Sequence, residues 1–195
     1  MEQIVSTCYD TAAAAIVLVP LFCHLNRRHW HRWDQAAAYL LFALYLCSVY
    51  VAAGLPGFHN LTYRPRINSQ FFLYMFSDYR SSLLNVLFFI PLGFLLPTIW
   101  SRFRSLWRTF LFALGASGFI ELFQLLTPRA TDVNDLVTNT AGALLGWGLA
   151  RLLQWRIPSL RPVNNSRDVY WLSALSVGIM FLFYPLLIFL ITSAW

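Results

Sequence analysis

The sequence predicts an all-α fold: a polytopic membrane helical bundle of about six transmembrane helices, or five if the first does not insert. Three observations predict it. Hydrophobic residues make up 58% of the 195-residue chain and charged residues only 11%, well under half the charged share of a soluble domain. Several apolar runs approach the roughly 20 residues that cross a bilayer as a helix, too many in succession for one soluble core. All fourteen basic residues are Arg, and most stand between the apolar runs, where the positive-inside rule puts them. The net charge of +6 therefore reads as membrane topology, and no nucleic-acid partner is expected.

The spans fall at roughly 11–25, 36–55, 82–100, 106–127, 135–154 and 170–194. The first, "AAAAIVLVPLF", is short and interrupted by Pro20. It follows Glu2 and Asp10 and precedes Arg27 and Arg28, which is the charge order of an uncleaved helix with its N-terminus outside. The third contains Pro91 and Pro97 and is expected to bend. Three cysteines, Cys8, Cys23 and Cys47, lie in or near apolar runs without CxxC spacing, so they read as buried thiols.

Counting Arg gives the orientation. The first, third and fifth connections carry ten: Arg27, Arg28 and Arg32; Arg102, Arg104 and Arg108; Arg151, Arg156, Arg161 and Arg167. The second and fourth carry four: Arg64, Arg66, Arg80 and Arg129. The odd connections are therefore expected in the cytoplasm and both termini outside, as in a multi-pass protein of the cell membrane. Trp30, Trp33, Trp100, Trp107, Trp155 and Trp171 flank the expected cytoplasmic ends like an aromatic belt. The long external loop, about 56–81, holds "SQFFLYMF", an interfacial candidate, and the sequon "NLT". His24, His29 and His31 lie among Arg without metal-face spacing, and His59 lies outside near Asn60.

Against this background the stretch from Gly118 to Gly146, "GFIELFQLLTPRATDVNDLVTNTAGALLG", gathers acids and amides. The topology brings three segment ends to one depth near the outer headgroups: Asn85 in the third span, Glu121 and Gln124 in the fourth, and Asp132, Asp135 and Asn139 in the fifth. Arg80 and Arg129 lie in the same layer. Gly118, Glu121 and Gln124 recur at i, i+3, i+6, and Asp135, Asn139, Gly142 and Gly146 at i, i+4, i+7, i+11, so each set shares one helix side. Gly142 and Gly146 form GxxxG, a close-approach motif, and Gly93 can meet the same seam.

Glu121 stands six residues before the end of its span, about 9 Å deep. An acid at the bilayer centre costs roughly 2.5–3.5 kcal/mol, and less near the interface, so Glu121 is expected to face protein or water and not lipid. Pairing with Arg129 or Arg80, protonation, and a wet cavity are all open to it. Plainer roles stand beside the functional ones. Asp132 fits an N-cap with Asp135 at N3. Asn85 and Asn139 fit interhelical hydrogen bonds, and GxxxG fits packing. Arg129 fits a phosphate anchor.

The segments "NVLFFIPLGFLLP" from Asn85, "IELFQ" ending at Gln124 and "RATDVNDLVTNTAGALLG" from Arg129 strongly resemble the VanZ-like family over about 62 residues, 85–146. The signature positions are Asn85, Pro91, Gly93, Glu121, Gln124, Arg129, Asp132, Asp135, Asn139 and Gly142. The organisation this implies is one membrane domain over 1–195, with 1–35 an extra N-terminal helix and cytoplasmic loop. The VanZ-like core then runs over 36–154, and 155–195 is a cytoplasmic loop and C-terminal helix. The loop segment "RINSQFF" lacks a family-like Asn-x-x-Pro. The family is associated with bacterial resistance to teicoplanin, a lipid-tailed antibiotic that binds peptidoglycan precursors outside the cell. No catalytic residues carry over.

The expected binding residues are Asn85, Glu121, Gln124, Arg129, Asp132, Asp135 and Asn139, with no cofactor and no resident metal. Their ligand would be a membrane lipid, a lipid-linked cell-wall precursor or a lipoglycopeptide; self-association into a homo-oligomer is left open. The alternative is a membrane enzyme acting on a lipid headgroup, with Glu121 and Asp132 or Asp135 as acid and base, a hard cation being able to bridge their oxygens. Proton-coupled transport through Glu121 is disfavoured because the polar residues sit on one side of the membrane.

Overall fold

The computed structural model describes residues 2–58, 61–63, 67–68, 79–128, 131–156 and 167–183. It is all-α among these residues apart from one two-residue parallel pairing, and the chain divides into two compact units.

The first unit combines Met1–Thr62 with Arg167–Trp195. Helix α1 (Glu2–Leu25) passes through Pro20 without a break and ends in a π-helical turn, Asn26–Trp30. His31 closes it in the left-handed region (φ 52°), and the Asn26 side-chain oxygen accepts the Arg32 N–H at 2.9 Å. Helix α2 (Trp33–Ala52) packs on α1 and on α6 (Asp168–Gly178), which continues as a π-helical turn over Ile179–Phe183. Buried residues on α1 recur at Ala14, Leu18 and Phe22, and on α2 at Ala36, Tyr39, Ala43, Cys47 and Tyr50, the spacing of a helical face. Polar bonds join the helices: the Tyr39 hydroxyl donates to buried Asp168 at 2.5 Å, Ser176 donates to the Ala43 carbonyl at 3.3 Å, and Thr11 meets Ser48 at 3.1 Å.

The second unit, Tyr63–Ser166, carries the polar stretch. Helix α3 (Tyr79–Ile99) leads through a 3-10 turn (Ser101–Arg104) to α4 (Leu106–Gln124), and α5 (Val133–Arg156) follows. Helices α3 and α5 run parallel, because Val86 meets Gly142, Ile90 meets Gly146, and Gln154 donates to the Pro97 carbonyl at 2.8 Å. Helix α4 runs antiparallel to α5, because Ser117 meets Asn139 while Glu121 meets Asp132. The α3–α5 contact is backbone on backbone. A methyl group at Gly93, Gly142 or Gly146 would overlap the Ala143, Val86 or Ile90 carbonyl oxygen respectively. The expected glycine seam is thus formed, with Gly93 in it.

Solvation is inverted relative to a soluble bundle. Leu83, Leu87, Leu111, Leu122, Leu145, Leu149 and Leu152 are exposed, while Ser117, Glu121, Gln124, Asn134, Thr138 and Asn139 are buried. Leucine outside and amides inside is the arrangement a hydrocarbon solvent imposes. Among the described residues, α2, α3 and α4 are long and apolar enough to cross a membrane. Helix α5 has the length, at 24 residues, but carries its polar residues inward.

One expectation, the aromatic belt, needs adjustment. Trp100 is fully buried, and Trp30 packs within an aromatic cluster against Phe22, Tyr39 and Trp171, so neither stands free in a belt as Trp33, Trp107 and Trp155 can. The sixth span is described only as far as residue 183. The segment "SQFFLYMF", His59, the sequon Asn60, Arg64, Arg66, Arg129 and Arg161 lie outside the described residues.

Candidate functional site

The polar residues meet where α4 ends and α5 begins. Helix α4 closes on a short turn: the Thr127 N–H and hydroxyl both donate to the Gln124 carbonyl, at 2.9 and 2.8 Å. Immediately before α5, Thr131 and Asp132 pair in parallel with Ile67 and Asn68 of the long loop. Asp132 caps α5: its Oδ1 accepts the Asn134 N–H at 2.9 Å and the Asn134 amide at 2.8 Å. That is the N-cap role, in which a side-chain oxygen satisfies one of the orphan N–H groups of the first turn.

Glu121 ties this junction together. Its Oε2 accepts the Asp132 backbone N–H at 2.9 Å, and its main-chain carbonyl accepts the Thr131 hydroxyl at 3.1 Å. The residue is only 7% exposed. Its second oxygen, Oε1, is buried and has no hydrogen-bond partner among the described residues. The carboxylates of Asp132 and half-buried Asp135 are close enough to act on it electrostatically. Of the alternatives open to Glu121, pairing with Arg80 is not formed: Arg80 is exposed, with its Nε 3.4 Å from the Tyr79 hydroxyl, and Arg129 lies outside the described residues.

One turn deeper, the Asn139 amide donates to the Ser117 hydroxyl at 2.9 Å, both residues being buried. This is the interhelical bond that Asn139 alone suggested. Asn85 precedes Val86, which touches Gly142, so it stands about half a turn beyond Asn139 toward the Arg-rich end. Its Nδ2 is buried with no partner among the described residues. The structure therefore brings Glu121, Asp132 and Asp135 to one junction with buried Gln124 on the last turn of α4, and sets Asn139 and Asn85 deeper.

The buried stripe of α4 runs through Ala113, Ser117, Glu121 and Gln124, while Gly118 lies at its edge, 3.9 Å from Leu136 as judged by an added methyl. Ser117 is not among the expected site residues; its part in the seam comes from Asn139 across it. Asn134 was missed as a site neighbour because its part in the Asp132 cap depends on backbone geometry.

Chemically, the junction offers a carboxylate with one oxygen fixed and one without a partner among the described residues. Such a group can take a donor from a ligand or hold a proton. Among the described residues no three His, Cys, Asp or Glu side chains are placed to hold a metal ion together.

No curated protein and no solved structure matches the chain. A sequence family does match it, over residues 14–154, from the second half of α1 to the end of α5. That match takes in the glycine seam, the Asp132 cap and Glu121, and with it covers well over half of the chain: the protein belongs to the VanZ/LLP1 family.

Proposed function

We propose that this VanZ-family membrane protein engages an amphiphile at the junction around Glu121, with that end facing outward from a bacterial cell membrane. The amphiphile is a lipid-linked envelope component or a lipid-tailed glycopeptide antibiotic of the teicoplanin type. The observation that carries the reading is the uncommitted Oε1 of Glu121, an acceptor buried without a partner among the described residues. Such an atom is costly to leave unmade, by roughly 1–3 kcal/mol, and a ligand hydroxyl, amide or ammonium that donates to it recovers that energy.

The setting supports the same reading. A polar cluster flanked by exposed leucines on three helices suits a molecule with a polar head and an apolar tail. The excess of Arg at the other end of these helices supports an outward-facing junction in a multi-pass protein.

The test is teicoplanin susceptibility of cells expressing the protein, with membrane abundance measured in parallel. Expression is expected to raise tolerance, and Glu121→Ala or Asp135→Ala to abolish the rise at equal abundance. Unchanged susceptibility on expression, confirmed at full membrane abundance, removes the antibiotic as ligand. Glu121→Gln separates binding from proton chemistry, because it keeps an acceptor oxygen and loses the acid. Tolerance that survives Glu121→Gln is a binding function; tolerance lost in Glu121→Gln as fully as in Glu121→Ala points to acid–base catalysis on a lipid headgroup.

A further inference from the structure

The opposite end of the second unit has a different chemistry. Helix α3 ends there, α4 begins and α5 ends, and the Trp147 indole donates to the Arg104 carbonyl at 3.3 Å across the gap. Arg102, Arg104, Arg108, Arg151 and Arg156 all lie at this end, and neither 79–118 nor 140–156 contains an acid. Between α3 and α5 runs a groove of about 350 Å³ lined by Phe94, Leu149, Leu152, Leu153 and Arg156. Gly146 makes it: its contact with Ile90 and Phe94 brings Phe94 beside the next turns of α5.

We infer that this groove is a binding site for an anionic phospholipid, with an acyl chain along the leucine wall and the phosphate at Arg156. Three features select that occupant. Leu149, Leu152 and Leu153 are exposed along a helix of a membrane protein, so hydrocarbon is their natural cover. Arg156 closes the apolar wall with a charge, which a zwitterionic or uncharged headgroup does not match as well as a phosphodiester carrying a net negative charge. Trp155 is 71% exposed and its ring lies 5.0 Å from the Arg156 guanidinium carbon, the pairing of an aromatic and a cation at headgroup depth. The site stands apart from the Glu121 junction, and its ligand is a lipid of the surrounding bilayer rather than the amphiphile proposed there.

The experiment is native mass spectrometry of the full-length chain in detergent, titrated with equal amounts of phosphatidylglycerol and phosphatidylcholine of the same acyl composition. Retained phosphatidylglycerol is expected to exceed phosphatidylcholine about fivefold, the equivalent of about 1 kcal/mol for one Arg near a headgroup. Arg156→Gln, at an exposed helix end, is expected to remove that preference and leave phosphatidylcholine retention as it was. Leu152→Trp, which fills the groove, is expected to lower retention of both lipids while Arg156 is intact. Equal retention of the two lipids by the wild type overturns the inference. So does a preference that persists in Arg156→Gln, or one lost instead in Arg108→Gln, which would place the headgroup on the α4 side.

Discussion

Helix α5 is held by two seams that work in opposite ways. Toward α3 it offers Gly142 and Gly146, and α3 answers with Gly93; the helices touch through carbonyl groups. Toward α4 it offers Asn139 and the capped N-terminus at Asp132, and α4 answers with Ser117 and Glu121. Between helices in lipid there is no hydrophobic drive, so close packing and hydrogen bonds must supply the attraction. The glycine seam supplies the first and the polar seam the second. The glycine seam closes through backbone contact and fixes where α5 stands. The polar seam leaves one oxygen of Glu121, beside two further carboxylates, without a partner among the described residues, and that acidic surplus marks the candidate site.

The largest effect should come from filling the glycine seam. A side chain at Gly146 meets the Ile90 carbonyl, which is backbone and cannot swing aside. Gly146→Val is therefore expected to force α3 and α5 apart at more than about 3 kcal/mol, the upper end of overpacking costs. Size-exclusion chromatography in detergent should show little folded monodisperse protein. A well-behaved Gly146→Val with an unchanged melting temperature would falsify the shape-based half of the comparison.

The polar seam should yield less, and in a graded way. Glu121→Ala strands the Asp132 N–H, for a loss of roughly 1–3 kcal/mol, while Glu121→Gln keeps an acceptor and should lose under about 1 kcal/mol. Hydrogen exchange at the Asp132 amide reads the difference directly: fast in the alanine variant, protected in the glutamine variant. Equal protection in both would mean that the side chain does not hold the turn.

How much of this was legible in the sequence depends on whether a role is local. The spans could be read because apolar runs have a length that lipid fixes. GxxxG and the possible part of Gly93 could be read because spacing alone puts small residues on one side. The Asp132 cap could be read because a cap needs only the residues beside it. Ser117 could not be read as a partner, because a serine in an apolar helix ordinarily bonds its own backbone, and only Asn139 across the seam gives it another role. Gln154 was invisible for the same reason: its amide satisfies the Pro97 carbonyl on another helix. Trp100 was placed in the belt by its position at a helix end, whereas the fold turns it fully inside.

The Ser117–Asn139 bond sharpens the energetic contrast. A double-mutant cycle with Ser117→Ala and Asn139→Ala is expected to give a coupling of about 0.6–1 kcal/mol, the usual size for interhelical bonds in membranes. Thermal unfolding in one detergent suffices to measure it. A coupling near zero would shift the stability of the polar seam onto Glu121 alone.

The smallest effect is also the most exacting, because its sign must reverse over two residues. Gly148 lies two positions beyond Gly146 on the same helix, turned about 200° around it. A methyl added there meets nothing within 4 Å. Gly148→Ala should then stabilise α5 by up to roughly 0.5–1 kcal/mol, through reduced backbone freedom in the unfolded chain. Gly146→Ala, with the same chemical change, should destabilise. If both destabilise, the open face at Gly148 is covered in the working protein, and a second copy packing there through its own small residue becomes the first explanation to test by cross-linking. If only Gly146→Ala does, the monomer's two seams account for α5 without further contacts.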